Sequence, residues 1–273
     1  YRDWTLYIRD DGSTDATVSI IRRLMAVDHR IVLCTEPNSV NLGPAKSFMT
    51  LLAKVEADDY LFADQDDFWL PTKIEKTLAV MRRLDSHAPN LVHTNLSLAD
   101  KQLNVLVASF YDVAYDDVQS LLLANDITGC TVMVNRQLRN LVKQQVNLPC
   151  MHDMWLGLVA AQFGNVAYLK EPTILYRQHG SNVVGTTANK ATKIKTFNYA
   201  AEKQRLVTTV LTARELLNRY GNHFSSAERT VVTTLAQLGQ VSLLKALWRL
   251  NRHRIYKRSL LNTASFLLKL TLN

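Results

Sequence analysis

The chain has 273 residues, 47% of them hydrophobic and 21% charged, and its nine glycines and six prolines are too few for a fibrous or disordered protein. Its net charge of +8 is unevenly spread, because residues 1–189 carry a balance of −4 and residues 190–273 a balance of +12, which predicts two regions with different roles. Three cysteines without C-x-x-C spacing indicate neither a disulfide framework nor a thiolate zinc site, and they suit a reducing compartment.

The acidic part of the chain alternates short β-rich runs with segments of helical periodicity. Strands are predicted at Trp4–Arg9, Arg30–Thr35, Tyr60–Ala63 and Leu91–Thr94. Helices are predicted at Thr14–Val27, Pro44–Val55 and Pro71–Leu84. This alternation is typical of an α/β fold in which helices flank a mostly parallel sheet. Ligands of such sheets bind at the carboxyl ends of the strands, so the residues after each strand are the first candidates for a site.

Residues from Lys190 onward follow a different pattern. Apolar side chains recur there at three- and four-residue steps, as at Leu206, Val210, Ala213 and Leu217. We therefore predict a basic helical region at 186–273, after an α/β domain at 1–185. Nucleic acid is not expected as a partner, because aromatic residues are not interleaved with the basic ones on a β platform.

The third predicted strand is followed by three carboxylates within four residues, Asp64-Gln65-Asp66-Asp67. Such close carboxylates repel one another unless a cation neutralises them, and their oxygens suit Mg²⁺ or Mn²⁺ together with substrate phosphates. Apolar residues flank the run on both sides, as they would in a cleft. The alternative is a solvated acidic turn that caps the helix predicted to begin at Pro71.

A second acidic turn, Asp10-Asp11-Gly12-Ser13-Thr14-Asp15, follows the first predicted strand. Gly12 permits a tight turn, and the residues after it can cap the next helix, so a structural role is as well supported as a functional one. Haloacid-dehalogenase-type phosphatases need a nucleophilic aspartate where this chain has Arg9. That chemistry is therefore excluded.

A third candidate run, Met151-His152-Asp153-Met154-Trp155, precedes an apolar stretch with helical character. Taken alone, Asp153 is most simply a helix cap, and His152 and His179 are most simply surface or core histidines. A nucleophilic pair of Cys150 and His152 is discarded, because the two are only two residues apart and no oxyanion motif accompanies them.

Six blocks of sequence occur in a fixed order along residues 1–185. They are RDDGSTD (9–15), NLGPAKSF (41–48), ADQDDFWLPTKIEK (63–76), TGCTVMVNR (128–136), HDMWLGLVAAQFG (152–164) and YRQHGSNVVG (176–185). Together they resemble the family 2 glycosyltransferases of the GT-A fold, and most of all the bacterial rhamnosyltransferase-like branch. The resemblance implies transfer of a sugar, with L-rhamnose from dTDP-rhamnose expected, from a nucleotide-sugar donor to a cell-surface polysaccharide or lipid-linked glycan acceptor.

The resemblance also implies a role for each matching residue. Contacts with the nucleotide-sugar are implied for Asp10, Asp11, Lys46, Asp64, Gly129 and Trp155. A divalent cofactor, Mn²⁺ or Mg²⁺, is implied with Asp64, Asp66 and His179 as its ligands, where it would stabilise the diphosphate leaving group. Asp153 is implied as the general base that deprotonates the acceptor hydroxyl, and one such displacement inverts the anomeric centre.

The start of the chain departs from the family pattern. Family members begin with a strand and a helix that form part of the nucleotide pocket, whereas Tyr1-Arg2-Asp3-Trp4 corresponds to the approach to the second strand. We therefore expect an N-terminally incomplete domain. A truncated, non-catalytic remnant or binding protein is the alternative hypothesis.

The basic region carries Lys245, Arg249, Arg252, Arg254, Lys257 and Arg258 among leucine, tryptophan and tyrosine residues. Helices of this composition suit an interfacial anchor on an anionic leaflet. A helical cap on the α/β core, with its charged face in water, explains the same pattern. The first 20 residues do not resemble a secretion signal, so we expect a cytoplasmic protein that can attach peripherally to the inner face of the membrane.

Overall fold

The computed structural model describes residues 1–34, 40–178, 199–240 and 242–255. The predicted metal ligand His179 lies outside the described residues, as do the basic residues Lys257 and Arg258. The α/β architecture predicted from the sequence is confirmed, and it is followed by helices.

The N-terminal strands form a small parallel sheet of their own. It pairs β1 (Leu6–Ile8) with β2 (Ile31–Leu33), and α1 (Thr17–Val27) connects them. The helix α2 (Pro44–Lys54) follows, close to its predicted bounds. Helix α1 begins later than predicted because a carboxylate oxygen of Asp15 accepts hydrogen bonds from the backbone N–H of Thr17 at 2.9 Å and from its hydroxyl at 2.6 Å, which ends the preceding turn.

A six-stranded sheet forms the centre of the molecule. Its strands are β3 (Asp59–Leu61), β4 (Phe68–Trp69), β5 (Asn90–Ala99), β6 (Val105–Val107), β7 (Val132–Asn135) and β8 (Asn165–Arg177). The strand order is β3-β7-β5-β8-β4, with β6 on β5. This sheet is mixed: β5 and β8 run parallel, and the other pairs described are antiparallel. Each antiparallel pair includes a strand that the sequence periodicity did not predict.

Strand β5 is the core of the sheet, because all ten of its residues are buried. The sequence predicted only its first part, Leu91–Thr94. Buried polar residues such as His93 and Asn95 interrupt the apolar pattern, so a strand covered on both faces lacks the usual alternation.

Four helices lie in the middle of the chain. They are α3 (Lys73–Met81), α4 (Val118–Leu123), α5 (Arg136–Val142) and α6 (His152–Phe163). Helices α3, α5 and α6 pack on this sheet, and α4 packs on α6. Helix α6 is buried from His152 to Ala160 and is apolar on all sides, as expected of a helix inside the core. Its first turn carries Asp153 into the molecule.

The described part of the C-terminal region is helical, as predicted. It comprises α7 (Tyr199–Tyr220), α8 (Ser226–Ala236) and α9 (Leu243–Arg252). Leu206 and Ala213 of α7 and Val232 of α8 belong to the same buried cluster as Leu121 of α4, so these helices pack on the α/β part. Within the described residues, none of the helices has the length and apolar character required to cross a membrane.

Candidate functional site

The acidic turn Asp64–Asp67 connects β3 to β4 and is held by the end of β8. The backbone N–H of Arg177 donates to the Asp67 carboxylate at 3.1 Å, and the Arg177 side chain donates to the Asp66 carbonyl at 2.8 Å. Strand β4 also pairs with β8 immediately after the turn. The position of these carboxylates is therefore fixed by the central sheet, which argues against a loose, solvated turn.

The electrostatics of this turn are unfavourable without a cation. Burial, together with the charges of Asp67, Asp66 and Asp153, raises the pKa of Asp64 to about 7. Burial also raises the pKa of Asp67, and one of its carboxylate oxygens is buried without a hydrogen-bond partner among the described residues. Several carboxylates thus share a site that does not compensate their charge.

Three side chains of this site could contribute ligand atoms to one ion. Asp64, Asp67 and Cys130 each offer one such atom, and these atoms lie within 4.8 Å of one another. Carboxylate oxygens are the ligands that Mg²⁺ and Mn²⁺ prefer. The uncompensated charge and the orphaned oxygen of Asp67 fit a divalent cation at this place. Of the predicted ligands, Asp64 belongs to this group, Asp66 lies beside it in the turn, and His179 is outside the described residues.

A buried lysine lies behind the acidic turn. Lys73, on the first turn of α3, is 1% exposed, and its ammonium lies 3.4 Å from the Thr173 hydroxyl and 4.9 Å from the centre of the Trp69 ring. Burial lowers the pKa of Lys73, and the nearby Asp67 carboxylate partly opposes this effect, so that the pKa is about 8. Lys73 therefore supplies part of the positive charge that the turn needs.

Asp153 is a buried carboxylate near the same turn. It lies in the first turn of α6, and the backbone N–H of Met154 donates to it at 2.6 Å. Burial raises the pKa of Asp153 to about 6, although hydrogen bonds from Met154 and Gly129 favour its ionised form. Its charge contributes to the raised pKa of Asp64, so the two carboxylates act on one site. A buried acid with a pKa near neutrality can accept a proton from a substrate.

Gly129 is required by close packing at this site. A Cβ atom at Gly129 would lie 2.7 Å from Nε2 of His152 and 3.6 Å from a carboxylate oxygen of Asp153. The His152 ring is itself packed between Phe48 and Phe62, with centroid distances of 4.5 and 5.0 Å. Burial lowers the pKa of His152 to about 4, so the ring is neutral and acts as a spacer between α2, the end of β3 and α6.

The first acidic turn has a different environment. The Asp10 carboxylate accepts hydrogen bonds from the backbone N–H groups of Gly12 and Ser13, and the pKa of Asp10 is lowered by hydrogen bonds from Ser13. Asp11 accepts from Leu42 at 2.8 Å and from Gly43 at 2.7 Å, both just before α2, and it forms an ion pair with Arg9. Asp10 therefore stabilises its own turn, and Asp11 joins the end of β1 to the start of α2.

Two other predicted site residues have clear positions. Lys46 lies half-buried in the first turn of α2, directly after the segment that Asp11 holds. Trp155 is completely buried in the core, where its indole N–H donates to Gln145 at 2.7 Å and its ring faces Tyr220. In this structure Trp155 is a packing residue and does not line an open pocket.

Sequence reasoning missed three residues of the site. Asp67 was part of the acidic run but received no separate role, and Cys130 was considered only as a thiolate ligand or half of a disulfide. Lys73 lies in the predicted helix Pro71–Leu84 and received no role of its own, and lysines are rarely buried. A signal for Lys73 existed in its position, since a basic residue six positions after three carboxylates can provide their counter-charge.

Comparisons with known proteins identify the family of this chain. The family model of Glycosyl transferase family 2 matches residues 1–156. The dTDP-rhamnosyl transferase RfbG of Shigella flexneri is 24% identical over 93% of this chain and 88% of its own length. The putative teichuronic acid biosynthesis glycosyltransferase TuaG of Bacillus subtilis is 29% identical over 74% of this chain and 78% of its own length.

A solved structure is also similar. The mannosyltransferase PcManGT from Pyrobaculum calidifontis, in complex with GDP-Man and Mn²⁺, aligns with a TM-score of 0.48 at 15% identity, covering 97% of this chain and 76% of that chain. The family assignment does not depend on this alignment, because the family model covers more than half of the sequence. The chain belongs to Glycosyl transferase family 2 and is a glycosyltransferase.

Proposed function

We propose that this glycosyltransferase is metal-dependent and inverting, with Asp153 as its general base. The observation that carries the proposal is the meeting of Asp153 with the turn that contains Asp64 and Asp67, where burial raises the pKa values of all three carboxylates. A transferase of nucleotide-sugars must neutralise a diphosphate leaving group and remove a proton from the acceptor. This site has groups suited to both tasks.

The metal site would be held by the acidic turn. Asp64 and Asp67 would provide carboxylate ligands, and Asp66 would contribute as the family motif implies. Mn²⁺ or Mg²⁺ bound here would supply positive charge to the diphosphate of the donor. The fixed hydrogen bonds from Arg177 keep the turn in place while its ligands engage.

Asp153 would accept the proton of the attacking acceptor hydroxyl. An ordinary aspartate, with a pKa near 4, is a weak base, whereas burial raises the pKa of Asp153 to about 6 and makes it a better proton acceptor near neutral pH. The backbone N–H groups of Met154 and Gly129 hold the carboxylate in one orientation. The hydroxyl oxygen would attack the anomeric carbon from the face opposite the leaving group, which inverts the configuration.

The nucleotide of the donor would lie at the ends of β1 and β2. Asp10 and Asp11 would accept hydrogen bonds from the base or ribose, and Lys46 would lie beside them. The hydrogen bonds that Asp11 already accepts from Leu42 and Gly43 support a rigid wall at this place.

The donor we propose is dTDP-L-rhamnose, on the basis of the similarity to RfbG. The test is thermal stabilisation of the chain by dTDP-rhamnose, UDP-glucose and GDP-mannose, each with and without Mn²⁺. We expect the largest increase in Tm with dTDP-rhamnose and Mn²⁺ together. Equal stabilisation by the three donors would contradict the assignment of the sugar, and stabilisation without Mn²⁺ would contradict metal dependence.

The acceptor we propose is a cell-surface polysaccharide or a lipid-linked glycan. A lipid-linked acceptor stays at the membrane, so the enzyme would gain from peripheral attachment to the cytoplasmic face. The excess of basic residues after residue 189 supports such attachment. Sedimentation of the chain with anionic and with neutral vesicles tests it, because attachment through charge predicts binding to the anionic vesicles only.

A further inference from the structure

Helices α8 and α9 line an open surface cavity outside the candidate active site. Its volume is about 480 Å³. The residues that characterise it are Arg229, Gln237, Trp248, Arg249, Arg252 and His253. We call these six residues the basic groove. The other lining residues are threonines, and among the described residues that line the cavity none is acidic.

The cationic side chains of the basic groove are held by neighbouring groups. Arg249 donates to the Gln237 side chain at 2.6 Å, and Arg229 donates to the carbonyl of Gly221. The guanidinium of Arg252 lies 5.0 Å from the centre of the Trp248 ring. None of these contacts neutralises the positive charge, so three arginines face one cavity without an acidic partner in it.

Helix α9 is fixed on one side and exposed on the other. Leu250 and Ile255 are buried in the main core cluster, which anchors the helix end. Leu244 is 79% exposed and Trp248 is 56% exposed, and these two residues lie one helical turn apart on the same face. The exposed apolar side chains are therefore presented beside the arginines of the basic groove.

Arginines beside exposed apolar side chains favour an anionic partner that also has an apolar part. Guanidinium groups bind phosphate oxygens with paired hydrogen bonds, which makes a cluster of arginines a site for phosphate groups. A soluble phosphate compound would explain the arginines of the basic groove, but it would not explain the exposed apolar side chains of Leu244 and Trp248. An anionic lipid surface explains both, since tryptophan and leucine enter the interface while arginines contact the headgroups.

We propose that the basic groove is the membrane-docking site of this glycosyltransferase and binds the phosphate headgroups of anionic lipids, with Trp248 and Leu244 entering the interface. This inference rests on the peripheral attachment proposed above and assigns it to α8 and α9. Sugar transfer to a soluble acceptor does not require the groove, so the docking site and the transferase mechanism can fail independently.

The experiment is sedimentation of the full chain with phosphatidylcholine vesicles, with and without phosphatidylglycerol. We expect the intact chain to bind only the anionic vesicles. Replacing two arginines, Arg249→Gln with Arg252→Gln, should weaken binding about thirtyfold, from roughly a fivefold contribution of each basic residue near the surface. The single variant Arg252→Gln, at an exposed position, should weaken binding about fivefold and leaves the contact between Arg249 and Gln237 intact.

A matched control removes the same charge elsewhere. Arg22 and Arg23 of α1 are exposed, and the double variant Arg22→Gln with Arg23→Gln should bind anionic vesicles like the intact chain. Equal losses in the control and the groove variant would overturn the proposal, because they would show attraction by net charge alone. Failure of the intact chain to bind anionic vesicles would overturn both the groove and the attachment on which it rests.

Two further readouts separate a membrane from a soluble phosphate compound. Tryptophan fluorescence should shift to shorter wavelength with anionic vesicles, and Trp248→Phe should remove that shift. Titration with inorganic pyrophosphate should show at most weak binding. Tight pyrophosphate binding without a fluorescence shift on vesicles would overturn the proposal and identify a site for soluble diphosphates.

Discussion

The two acidic turns of this protein have similar sequences and opposite environments. Asp10 and Asp11 follow β1 and receive hydrogen bonds from backbone N–H groups and Arg9, so their pKa values are lowered. Asp64 and Asp67 follow β3 and are buried beside other carboxylates, so their pKa values are raised. The fold itself compensates the first pair. Lys73 compensates the second pair only in part, and for this reason we assign the proposed metal to the second turn and not to the first.

The largest effect is expected at Asp153, which is buried near the acidic turn after β3. Asp153→Asn should lower kcat about 10²–10⁴-fold while donor binding is retained, because the amide keeps the shape and cannot accept the proton. Asp117→Asn is the matched control, since Asp117 caps α4 by accepting from the Ser120 N–H and is exposed. Steady-state kinetics and donor titration of both variants check this. Near-normal turnover of Asp153→Asn would leave Asp153 as a helix-end residue.

The next effect concerns the acidic turn. Asp66→Asn should abolish metal-dependent donor binding, and Asp67→Asn should weaken it at least about tenfold, as expected when a charged ligand is lost from a small site. Donor titrations with and without Mn²⁺ measure this. Asp58→Asn, at an exposed carboxylate next to β3, is the control and should bind donor normally. Unchanged donor affinity in Asp66→Asn would contradict the assignment.

The two acidic turns should contribute differently to the pH dependence of the free energy of unfolding. Without metal, folded Asp64 keeps its proton up to pH about 7, whereas the unfolded carboxyl releases it near 3.8. The folded state therefore binds more protons than the unfolded state between pH 4 and 7. The free energy of unfolding should fall over this range by on the order of 2 kcal/mol after solvent screening. Urea unfolding in EDTA should show that Asp64→Asn reduces this decline and Asp11→Asn does not.

A smaller effect is expected when Asp11 is replaced at neutral pH. Asp11→Asn should destabilise the fold by about 1–2 kcal/mol, because the amide can place a donor against the N–H groups of Leu42 and Gly43. The lowered pKa of Asp11 means that its contribution is present above its unfolded pKa of 3.8 and is lost only as pH falls below it. Urea unfolding of Asp11→Asn measures this change, with Asp116→Asn at an exposed position as the control. If Asp11→Asn were as stable as the intact chain, the hydrogen bonds to Asp11 would not stabilise the first turn, and the contrast between the two turns would be wrong.

Local chemistry drew attention to Asp64 and Asp66, because they lie in an acidic run after a strand, whereas Asp153 alone indicated a helix cap and took its catalytic role from the family resemblance. Asp64, Asp66 and Asp153 lie in short motifs that follow a strand or begin a helix, and the structure places Asp64 and Asp153 in one electrostatic site. Lys73 and Cys130 could not be predicted in the same way. Their proximity to Asp67 depends on how α3 and the β7 region pack, and residue type alone assigns a lysine to the surface.

The fold shows a similar limit. Strands β1, β2 and β3 and helices α1 and α2 were predicted close to their observed bounds, because each has its own periodicity or cap. Strands β7 and β8 were not predicted, and their direction fixes the mixed character of the sheet. Pairing between strands far apart in sequence depends on packing that short-range patterns do not encode. Trp155 illustrates the same point, since its motif suggested a pocket and its packing made it a core residue.

The central claim is that the carboxylates after β3 are uncompensated until a divalent cation binds. Calorimetric titration of Mn²⁺ into the intact chain with dTDP, in buffers of different ionisation enthalpy, tests it most directly. We expect one saturable site and proton release at pH 7 that diminishes well above pH 7, because the raised pKa of Asp64 leaves part of this carboxyl protonated. Asp64→Asn should lose both the affinity and the proton release. The absence of saturable binding, or unchanged binding and proton release in Asp64→Asn, would show that these carboxylates do not form a metal site.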